Sequence, residues 1–235
     1  MNNGWEESAP AWLATLGAEG DFARRFVLDR PMLERVEHSG AASVLDVGCG
    51  EGRFCRMLAA RGLSPVGIDL APALLEAARR RHPAGDYRLA DAARLPFGEA
   101  AFDLVVAYLS LIDIPDLARA IAEMHRVLRP GGHLLIANLN GFFSASNPYG
   151  WRTDADGASR FEIDDYSDER ADWIGWGELR VRNWHRPLGT YMSLLLEAGL
   201  ELRFFDEPLP HGGDPAQVAQ FRRVPAFVVM DWQKP

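Results

Sequence analysis

Cysteine is scarce in this chain, with only Cys49 and Cys55 among its 235 residues. The two do not form a C-x-x-C pair, and no cluster of histidine and cysteine accompanies them. A disulfide framework needs more cysteines than this, and a structural zinc site needs a full set of such ligands at close spacing. We therefore expect neither, and no metal site is predicted.

Long apolar runs are also missing. No stretch approaches the roughly 18 consecutive apolar residues that would span a membrane. The first residues, Met1 to Gly4, lack the basic start and the apolar centre of a signal peptide. We therefore expect a cytoplasmic protein that has no membrane partner.

Positive charge is in deficit, because 25 lysines and arginines face 33 aspartates and glutamates, for a formal net charge of −8. Surfaces that bind nucleic acid concentrate Lys and Arg, so no nucleic-acid partner is expected. A small or cationic substrate fits this balance better. With 235 residues, 48% of them hydrophobic, the chain is long enough for one α/β domain with a sizeable core.

The most informative stretch is a short apolar strand, predicted over residues 44–47, that runs into three glycines two positions apart. Gly48, Gly50 and Gly52 permit a tight turn and let a ligand approach bare backbone. A helix then begins, and its free N–H groups point toward the turn. About twenty positions after the glycines, a second strand ends on Asp69, where a ribose diol would be held. The pattern is typical of a nucleotide-type cofactor site, although a plain strand-to-helix turn is the alternative.

The glycine spacing separates two kinds of cofactor. The dinucleotide fingerprint G-x-G-x-x-G has its third glycine where this chain has Arg53. The observed G-x-G-x-G, with Asp46 before it and Asp69 after it, closely resembles the first two motifs of class I S-adenosylmethionine (SAM) dependent methyltransferases. The likeness continues in order through A-D-A, F-D-L-V-V and R-V-L-R-P-G-G at residues 90–92, 102–106 and 126–132, and so covers residues 40 to 140.

The resemblance implies an α/β fold with a Rossmann-like, seven-stranded, mostly parallel sheet, helices on both faces and an antiparallel last strand. Strands are expected at residues 44–47, 66–69, 87–90, 102–107, 134–137, 202–205 and 226–232. The whole chain, residues 1–235, is predicted to be a single domain. It would comprise an amino-terminal helical cap at 1–40, the SAM-binding core at 41–140, a substrate lid inserted after strand 5 at 141–186, and the carboxyl-terminal part of the core at 187–235.

The same resemblance implies SAM as the cofactor, with S-adenosyl-L-homocysteine as its product, and assigns roles to the matched positions. The glycine backbone would make room for the methionine part, and Asp46 would approach its ammonium group. Asp69 would hold the ribose hydroxyls, and Asp91 with Ala92 would meet the adenine, although an aspartate that merely caps a turn is the alternative for Asp91. The predicted cofactor-binding residues are Asp46, Gly48, Cys49, Gly50, Gly52, Asp69, Leu70, Asp91, Ala92 and Tyr108.

Residues 141–186 interrupt the alternation of strands and helices and carry four of the seven tryptophans, Trp151, Trp173, Trp176 and Trp184. An insertion after the fifth strand lies at the carboxyl edge of the sheet, which suggests a lid over the acceptor. A surface between two copies of the chain, in a homodimer, is the alternative. In the cap, Trp5, Trp12, Arg24 and Arg25 are candidate pocket residues, or else packing aromatics and solvated arginines.

His185 and Arg186 are the predicted catalytic residues, because they lie where the insertion meets the next helix. Histidine titrates near neutrality and can act as a general base, which a phenol or alcohol acceptor would need and a neutral amine would not. Arg186 could hold a carboxylate of the acceptor. A histidine with a purely structural role is the alternative for His185. Relatives in this family often carry histidines near residues 112 and 113, and this chain has none there.

These observations predict a methyltransferase that moves the methyl group of SAM to an oxygen, nitrogen or carbon atom of a small-molecule acceptor by in-line displacement. Two alternatives remain open from the sequence. One is a non-catalytic SAM-binding protein with a regulatory or assembly role. The other is an NAD(P)-dependent oxidoreductase on the same type of sheet, which Arg53 disfavours because it replaces the third glycine.

Overall fold

The computed structural model describes residues 3–17, 19–147 and 150–235. A few residues of the predicted segments lie outside this part: Met1, Asn2 and Ala18 of the cap, Pro148 and Tyr149 of the insertion, and the side chain of Trp176.

The strands of the described chain fall into a main sheet and two hairpins. Their bounds are β1 Val44–Val47, β2 Val66–Asp69, β3 Asp86–Leu89, β4 Phe102–Tyr108, β5 Leu128–Leu139, β6 Gly150–Thr153, β7 Ser159–Glu162, β8 Arg170–Trp176, β9 Leu179–His185, β10 Glu201–Asp206 and β11 Phe227–Gln233.

Seven strands form the main sheet, in the order β10-β11-β5-β4-β1-β2-β3. The first five in the chain pair in parallel, and β11 runs antiparallel to both of its neighbours, β5 and β10. This confirms the predicted seven-stranded, mostly parallel sheet with an antiparallel last strand. Strand β1 lies between β4 and β2, so its carboxyl end faces the point where the strand order reverses.

Helices cover both faces of this sheet. Their bounds are α1 Trp5–Leu16, α2 Asp29–Ser39, α3 Arg53–Ala59, α4 Pro72–Arg81, α5 Leu117–Val127, α6 Gly141–Ser144, α7 Leu188–Glu197 and α8 Pro215–Arg223. A π-helical turn, Arg24–Leu28, leads directly into α2, and a 3₁₀ turn, Leu111–Asp113, follows β4.

The core explains why these segments take these forms. Strand β1 is buried along its whole length, as expected for a parallel strand covered on both faces. On one face, α5 buries Leu117, Ile121 and Met124 at helical spacing, together with residues of α7. On the other face, α2 and α3 bury Met32, Leu58 and their neighbours. Each such side chain contributes about 1.5–3 kcal/mol when fully buried.

The amino-terminal helix and the insertion contact each other above the carboxyl edge of the sheet. Within the described part of residues 141–186, the chain forms α6 and two antiparallel hairpins, β6-β7 and β8-β9. Helix α1 packs between α4 and β9, where Trp12, Leu74 and Val181 belong to one buried cluster. The Ser8 hydroxyl donates to the Arg180 carbonyl oxygen at 2.9 Å, which ties the helix to the hairpin.

No helix among the described residues is long and apolar enough to cross a membrane.

Candidate active site

A cavity of about 550 Å³ lies at the carboxyl ends of β1, β2 and β4. Parallel strands end at the same edge of a sheet, and the reversal of strand order beside β1 opens a crevice there. The glycine turn after β1 and the start of α3 form one wall. Helix α1 and strand β9 contribute Trp5, Trp12, Arg182 and Trp184 to another wall.

The glycine turn is fixed to β2 by its own backbone. The N–H groups of Gly48 and Cys49 both donate to the carbonyl oxygen of Ile68, at 2.8 and 2.9 Å. Gly48 has φ +75°, and a Cβ at this position would overlap the Cβ of Ser110, so only glycine fits. Gly50 has φ +54°, and a Cβ there would meet no atom within 4 Å. The backbone at Gly50, which lines the cavity, is therefore open to a ligand.

Asp46 lines this cavity, and one of its carboxylate oxygens has no partner among the described residues. The residue is only 1% exposed. Its Oδ2 accepts from the thiol of Cys55 at 3.3 Å, while Oδ1 is buried with no hydrogen-bond partner among the described residues. Burial raises the pKa of Asp46 to about 7, against the effect of the Cys55 hydrogen bond. A buried acceptor without a donor is costly. Asp46 is therefore suited to receive a donor or a cation from a ligand.

Asp69 links the glycine turn to the end of β2. Its Oδ2 accepts from the N–H of Gly50 at 2.8 Å, and its Oδ1 accepts from the N–H of Ala71 at 2.9 Å. Burial raises the pKa of Asp69, and these backbone hydrogen bonds oppose that effect. Each carboxylate oxygen can accept more than one hydrogen bond, so capacity remains for the hydroxyls of a ligand.

The far wall of the cavity comes from the loops after β2 and β3. Leu70, Asp91 and Ala92 lie there. Oδ1 of Asp91 accepts from the N–H of Ala93 at 2.9 Å, so this aspartate does stabilise a turn, as its alternative role predicted. Its exposed side chain also lines the cavity, so the two roles are compatible.

Beneath the cavity lies a buried group of three polar side chains that sequence reasoning did not identify. The hydroxyl of Tyr108 donates to Oδ1 of Asp29 at 2.9 Å, and the Arg53 guanidinium forms two hydrogen bonds with the same carboxylate. Burial raises the pKa of Tyr108 well above its usual value, so the hydroxyl keeps its proton. Arg53, noted in the sequence only as a missing glycine, therefore anchors α2 to α3.

The structure brings nine of the ten predicted cofactor residues to this one cavity. Gly52 is the exception. It has φ +74°, and a Cβ there would lie 2.6 Å from the ring of Tyr87, so this glycine lets the turn pack against β3. Among the cap candidates, Trp5, Trp12 and Arg24 line the cavity. Arg25 does not line it and pairs with Glu19 at 2.9 Å.

The structure does not place the two predicted catalytic residues at the cavity. His185 is 2% exposed, with Nε2 donating to the carbonyl oxygen of Tyr166 at 2.8 Å and Nδ1 2.7 Å from the Ser144 hydroxyl. Burial lowers its pKa. The guanidinium of Arg186 is buried and donates to main-chain carbonyls that include Ile114, at 2.7 Å. Both side chains hold the hairpin β8-β9 to the loops beneath it, so the geometry gives no support to a catalytic role for either.

A second cavity, of about 440 Å³, adjoins the first. The two share Trp5, Trp12, Arg24, Leu109 and Asp113 as lining residues. Most of the remaining wall is apolar and comes from the cap, the insertion and the ends of β5 and β11, with Leu139, Phe143, Ile174, Val181 and Phe227. The positive φ of Leu109, +57°, marks the sharp turn of the backbone between the cavities.

Asp113 is the carboxylate among the residues that line both cavities. Its Oδ1 accepts from the side-chain amide of Asn183 in β9 at 2.5 Å. Burial raises the pKa of Asp113 to about 7, and hydrogen bonds from Trp5 and Asn183 oppose that effect. The sequence analysis did not assign a role to Asp113. Its position just after β4, where members of the resembled family often carry histidines, could have indicated a functional residue.

Comparisons with known proteins agree with this geometry. Residues 45–136 match the family described as Methyltransferase domain. A malonyl-(acyl-carrier protein) O-methyltransferase of Serratia marcescens is 38% identical over 126 residues, which cover 52% of this chain and 49% of that protein. A demethylmenaquinone methyltransferase of Renibacterium salmoninarum is 30% identical over 185 residues, which cover 68% of this chain and 77% of that protein.

A crystal structure of an S-adenosylmethionine dependent methyltransferase from Mesorhizobium loti superposes with a TM-score of 0.79 at 28% identity. The match covers 92% of this chain and 100% of that one. The chain spans less than half the length of several curated relatives, between 39% and 49% of three of them.

Proposed function

The chain belongs to the class I S-adenosylmethionine-dependent methyltransferases, and on that premise we propose that it moves the methyl group of SAM to a small-molecule acceptor. When bound, SAM supplies a methyl group already activated by its sulfonium. The protein then has to hold the acceptor's lone pair in line with the S–CH₃ bond, at about 3–3.5 Å, and to keep water out. Placement is therefore the main task of the residues around the two cavities.

The observation that carries the proposal is the junction of the two cavities. A site for cofactor residues alone would need one chamber, but here a second cavity adjoins the first, and the two share five lining residues. Two adjoining chambers suit two reactants that meet at their boundary. A combined space of this size and largely apolar lining is typical of sites for small molecules.

The residues of the first cavity fit SAM. The unpaired Oδ1 of Asp46 would receive the ammonium group of the methionine part, directly or through water. The open backbone at Gly50 would allow close approach, and Asp69 would accept from the ribose hydroxyls. Asp91 and Ala92 would meet the adenine at the far wall. The buried hydroxyl of Tyr108 is committed to Asp29, so its ring would serve as packing surface.

The second cavity would hold the acceptor. Helix α1 and the β8-β9 hairpin enclose it from one side, with the described part of residues 141–186 acting as the proposed lid. The small volume and the apolar wall favour an acceptor with an apolar body over a macromolecular chain. Relatives of this chain include a 27-O-demethylrifamycin SV methyltransferase of Amycolatopsis mediterranei as well as methyltransferases named for malonyl-(acyl-carrier protein), so the proposal of a free small molecule rests on the cavity and not on these names.

The first experiment is calorimetric titration with S-adenosylhomocysteine of the wild-type protein, Asp69→Ala and Asp86→Ala. Asp69 lines the cavity, whereas Asp86 is an exposed aspartate on the neighbouring strand, paired with Arg88. We expect Asp69→Ala to lose about tenfold or more in affinity, the value of one charge-assisted hydrogen bond. Asp86→Ala should match the wild type. Equal affinity in all three proteins would contradict the proposed site.

The second experiment asks whether transfer occurs. Wild-type protein is incubated with methyl-labelled SAM and a metabolite extract, and the products are separated by mass. Appearance of a labelled small molecule supports the proposal. Saturable binding of SAM without any labelled product would favour a regulatory or assembly role instead. A thermal shift with NAD(P)H and none with S-adenosylhomocysteine would favour an oxidoreductase.

A further inference from the structure

We propose that Asp113 is the general base of the reaction and that the acceptor carries an acidic hydroxyl, a phenol or an enol, on an apolar body. The inference rests on the proposed methyl transfer and deepens it by naming the class of acceptor.

Asp113 is one of the five residues common to both cavities, so it lies at the border between the proposed cofactor chamber and the proposed acceptor chamber. A base that serves methyl transfer must lie at this boundary, because the attacking atom is there. His185 and Arg186, the other titratable candidates near the insertion, line neither cavity.

The surroundings of Asp113 set its orientation and its basicity. Asn183 donates to its Oδ1 from β9, and Trp5 adds a hydrogen bond from α1. The charges that act on it are Asp69, which raises its pKa, and Arg24, which lowers it. Arg24 is itself held by Asp21 at 2.5 Å and stacks over Trp12. Asp113 is therefore a carboxylate held by polar partners at the border of a cavity whose lining is mainly apolar.

The chemistry then selects the acceptor. A carboxylate beside an alkylamine would favour its protonated form, which has no lone pair for attack, and an arylamine, which is already neutral, would gain nothing from a base. A hydroxyl acceptor has the opposite need, because its oxygen becomes a strong nucleophile only as its proton leaves. A base whose pKa lies near the working pH is best matched to that transfer. Aspartate at this junction thus favours an oxygen acceptor.

The acceptor hydroxyl gives its proton to Asp113, and the acceptor oxygen forms a bond to the methyl carbon. The bond between that carbon and sulfur breaks, and its electron pair stays on the sulfur of S-adenosylhomocysteine. Asp113 later releases the proton to solvent. The products are a methyl ether and S-adenosylhomocysteine, and no oxidant or reductant is required.

The size and the lining of the second cavity indicate the size and the polarity of the part of the acceptor that it would hold. About 440 Å³ enclosed by Leu139, Phe143 and Phe227 among other apolar residues accommodates a fused pair of aromatic rings. 2-Naphthol is therefore a suitable probe, because its hydroxyl ionises well above neutral pH and its binding is followed by its own fluorescence. N-Methylaniline serves as the matching amine probe, which needs no base.

The test compares the wild type with Asp113→Asn, Asp113→Glu and Asp206→Asn, the last being an exposed aspartate outside both cavities. We expect Asp113→Asn to slow methylation of 2-naphthol by about 10²–10⁴-fold, the usual contribution of a general base. Asp113→Glu should recover part of the rate, and Asp206→Asn should retain all of it. In the wild type, kcat/KM should rise with pH through about 7, and this rise should disappear in Asp113→Asn.

A binding measurement separates this inference from the proposed function. Protein loaded with S-adenosylhomocysteine is titrated with 2-naphthol. Asp113→Asn should bind 2-naphthol about tenfold more weakly, because the naphthol hydroxyl can no longer donate a hydrogen bond to a charged carboxylate. Full activity of Asp113→Asn toward 2-naphthol would overturn the role of Asp113. The acceptor class would be overturned if the protein methylated N-methylaniline but not 2-naphthol. It would also be overturned if protein that binds S-adenosylhomocysteine neither bound nor methylated 2-naphthol. Failure of the wild type to bind S-adenosylhomocysteine would overturn the methyltransferase proposal itself.

Discussion

The hydroxyl group of Tyr108 donates a hydrogen bond of 2.9 Å to Oδ1 of Asp29, which joins the last residue of β4 to the first residue of α2. The same carboxylate pairs with the guanidinium of Arg53, the first residue of α3. The side chains of Arg53 and Asp29 are 11% and 12% exposed. The carboxylate of Asp29 therefore joins three elements beneath the cavity, α2 and α3 through the ion pair and β4 through the hydroxyl.

Removing the carboxylate should be much more damaging than removing the hydroxyl. Asp29→Ala leaves the Arg53 guanidinium without its counter-ion, and we expect the free energy of unfolding to fall by about 3–5 kcal/mol. Tyr108→Phe keeps the ion pair intact and should cost about 1 kcal/mol. Urea denaturation of both variants measures the difference. Equal losses would show that the ion pair does not carry the stability of this region.

Gly50 and Gly62 offer a matched pair for testing the glycine turn. Both have positive φ, +54° and +84°, and a Cβ at either would meet no atom within 4 Å. An alanine should therefore cost each protein about 1 kcal/mol of stability through backbone strain alone. Only Gly50 lines the cavity. We expect Gly50→Ala, but not Gly62→Ala, to weaken the binding of S-adenosylhomocysteine, measured by calorimetry, by about tenfold, which is about 1.4 kcal/mol.

Thermal denaturation of the two glycine variants supplies the control, because similar losses of stability would show that the strain is matched. If both variants then bound S-adenosylhomocysteine with wild-type affinity, the backbone at Gly50 would not contact the ligand.

Asp46→Asn should have opposite effects on stability and on binding. The folded-state pKa of Asp46 is about 7, above its ordinary value of 3.8, so the folded protein holds this proton more tightly than the unfolded chain does. The stabilising contribution of that proton is complete below pH 3.8 and is lost as the pH rises through about 7. At pH 8 the neutral asparagine avoids the buried charge, and the ligand-free variant should be more stable by roughly 2 kcal/mol.

Binding should change in the other direction, because asparagine cannot offer a negative charge to an ammonium group. We expect Asp46→Asn to bind S-adenosylhomocysteine at least tenfold more weakly at pH 8, since a hydrogen bond to a charged group is worth about 1.5–3 kcal/mol. Calorimetry and thermal denaturation at pH 5 and pH 8 measure both effects. A variant that loses stability at pH 8, or keeps its affinity, would contradict the assigned environment of Asp46.

His185→Ala should behave as a structural variant. Both ring nitrogens have partners in the loops that hold the β8-β9 hairpin, so we expect a loss of about 2–3 kcal/mol in the free energy of unfolding. Burial lowers the pKa of His185 below 6.5. The neutral ring therefore stabilises the fold above that pH, and its contribution is lost as the pH falls. The difference from the wild type should be larger at pH 8 than at pH 5.

Affinity for S-adenosylhomocysteine should be unchanged in His185→Ala, since the residue lines neither cavity. The same should hold for the rate of 2-naphthol methylation per folded molecule. A rate that collapsed while stability stayed at the wild-type level would restore the catalytic role that the sequence predicted.

The sequence, with its family resemblance, predicted the main sheet and the order of its elements, and it predicted a set of cofactor residues that the fold brings together. The signals for these features are local patterns in the sequence. They are apolar strands of four to seven residues, glycines at fixed spacing, and acidic residues close to the ends of strands. Because parallel strands share one carboxyl edge, residues such as Asp46, Asp69 and Asp91 had to converge once the strands formed. Their meeting at one cavity followed from topology and needed no knowledge of side-chain packing.

Only the tertiary structure decided what lies on the acceptor side. His185 was attractive in sequence because histidine titrates near neutrality, but its packing against Ser144 and Tyr166 gave both nitrogens structural partners. No role was predicted for Asp113 from the sequence. The structure places it beside Asn183, 70 residues away, and among the residues that line both cavities. Burial and long-range partners set the chemistry of a side chain, and neither is encoded in the residues beside it.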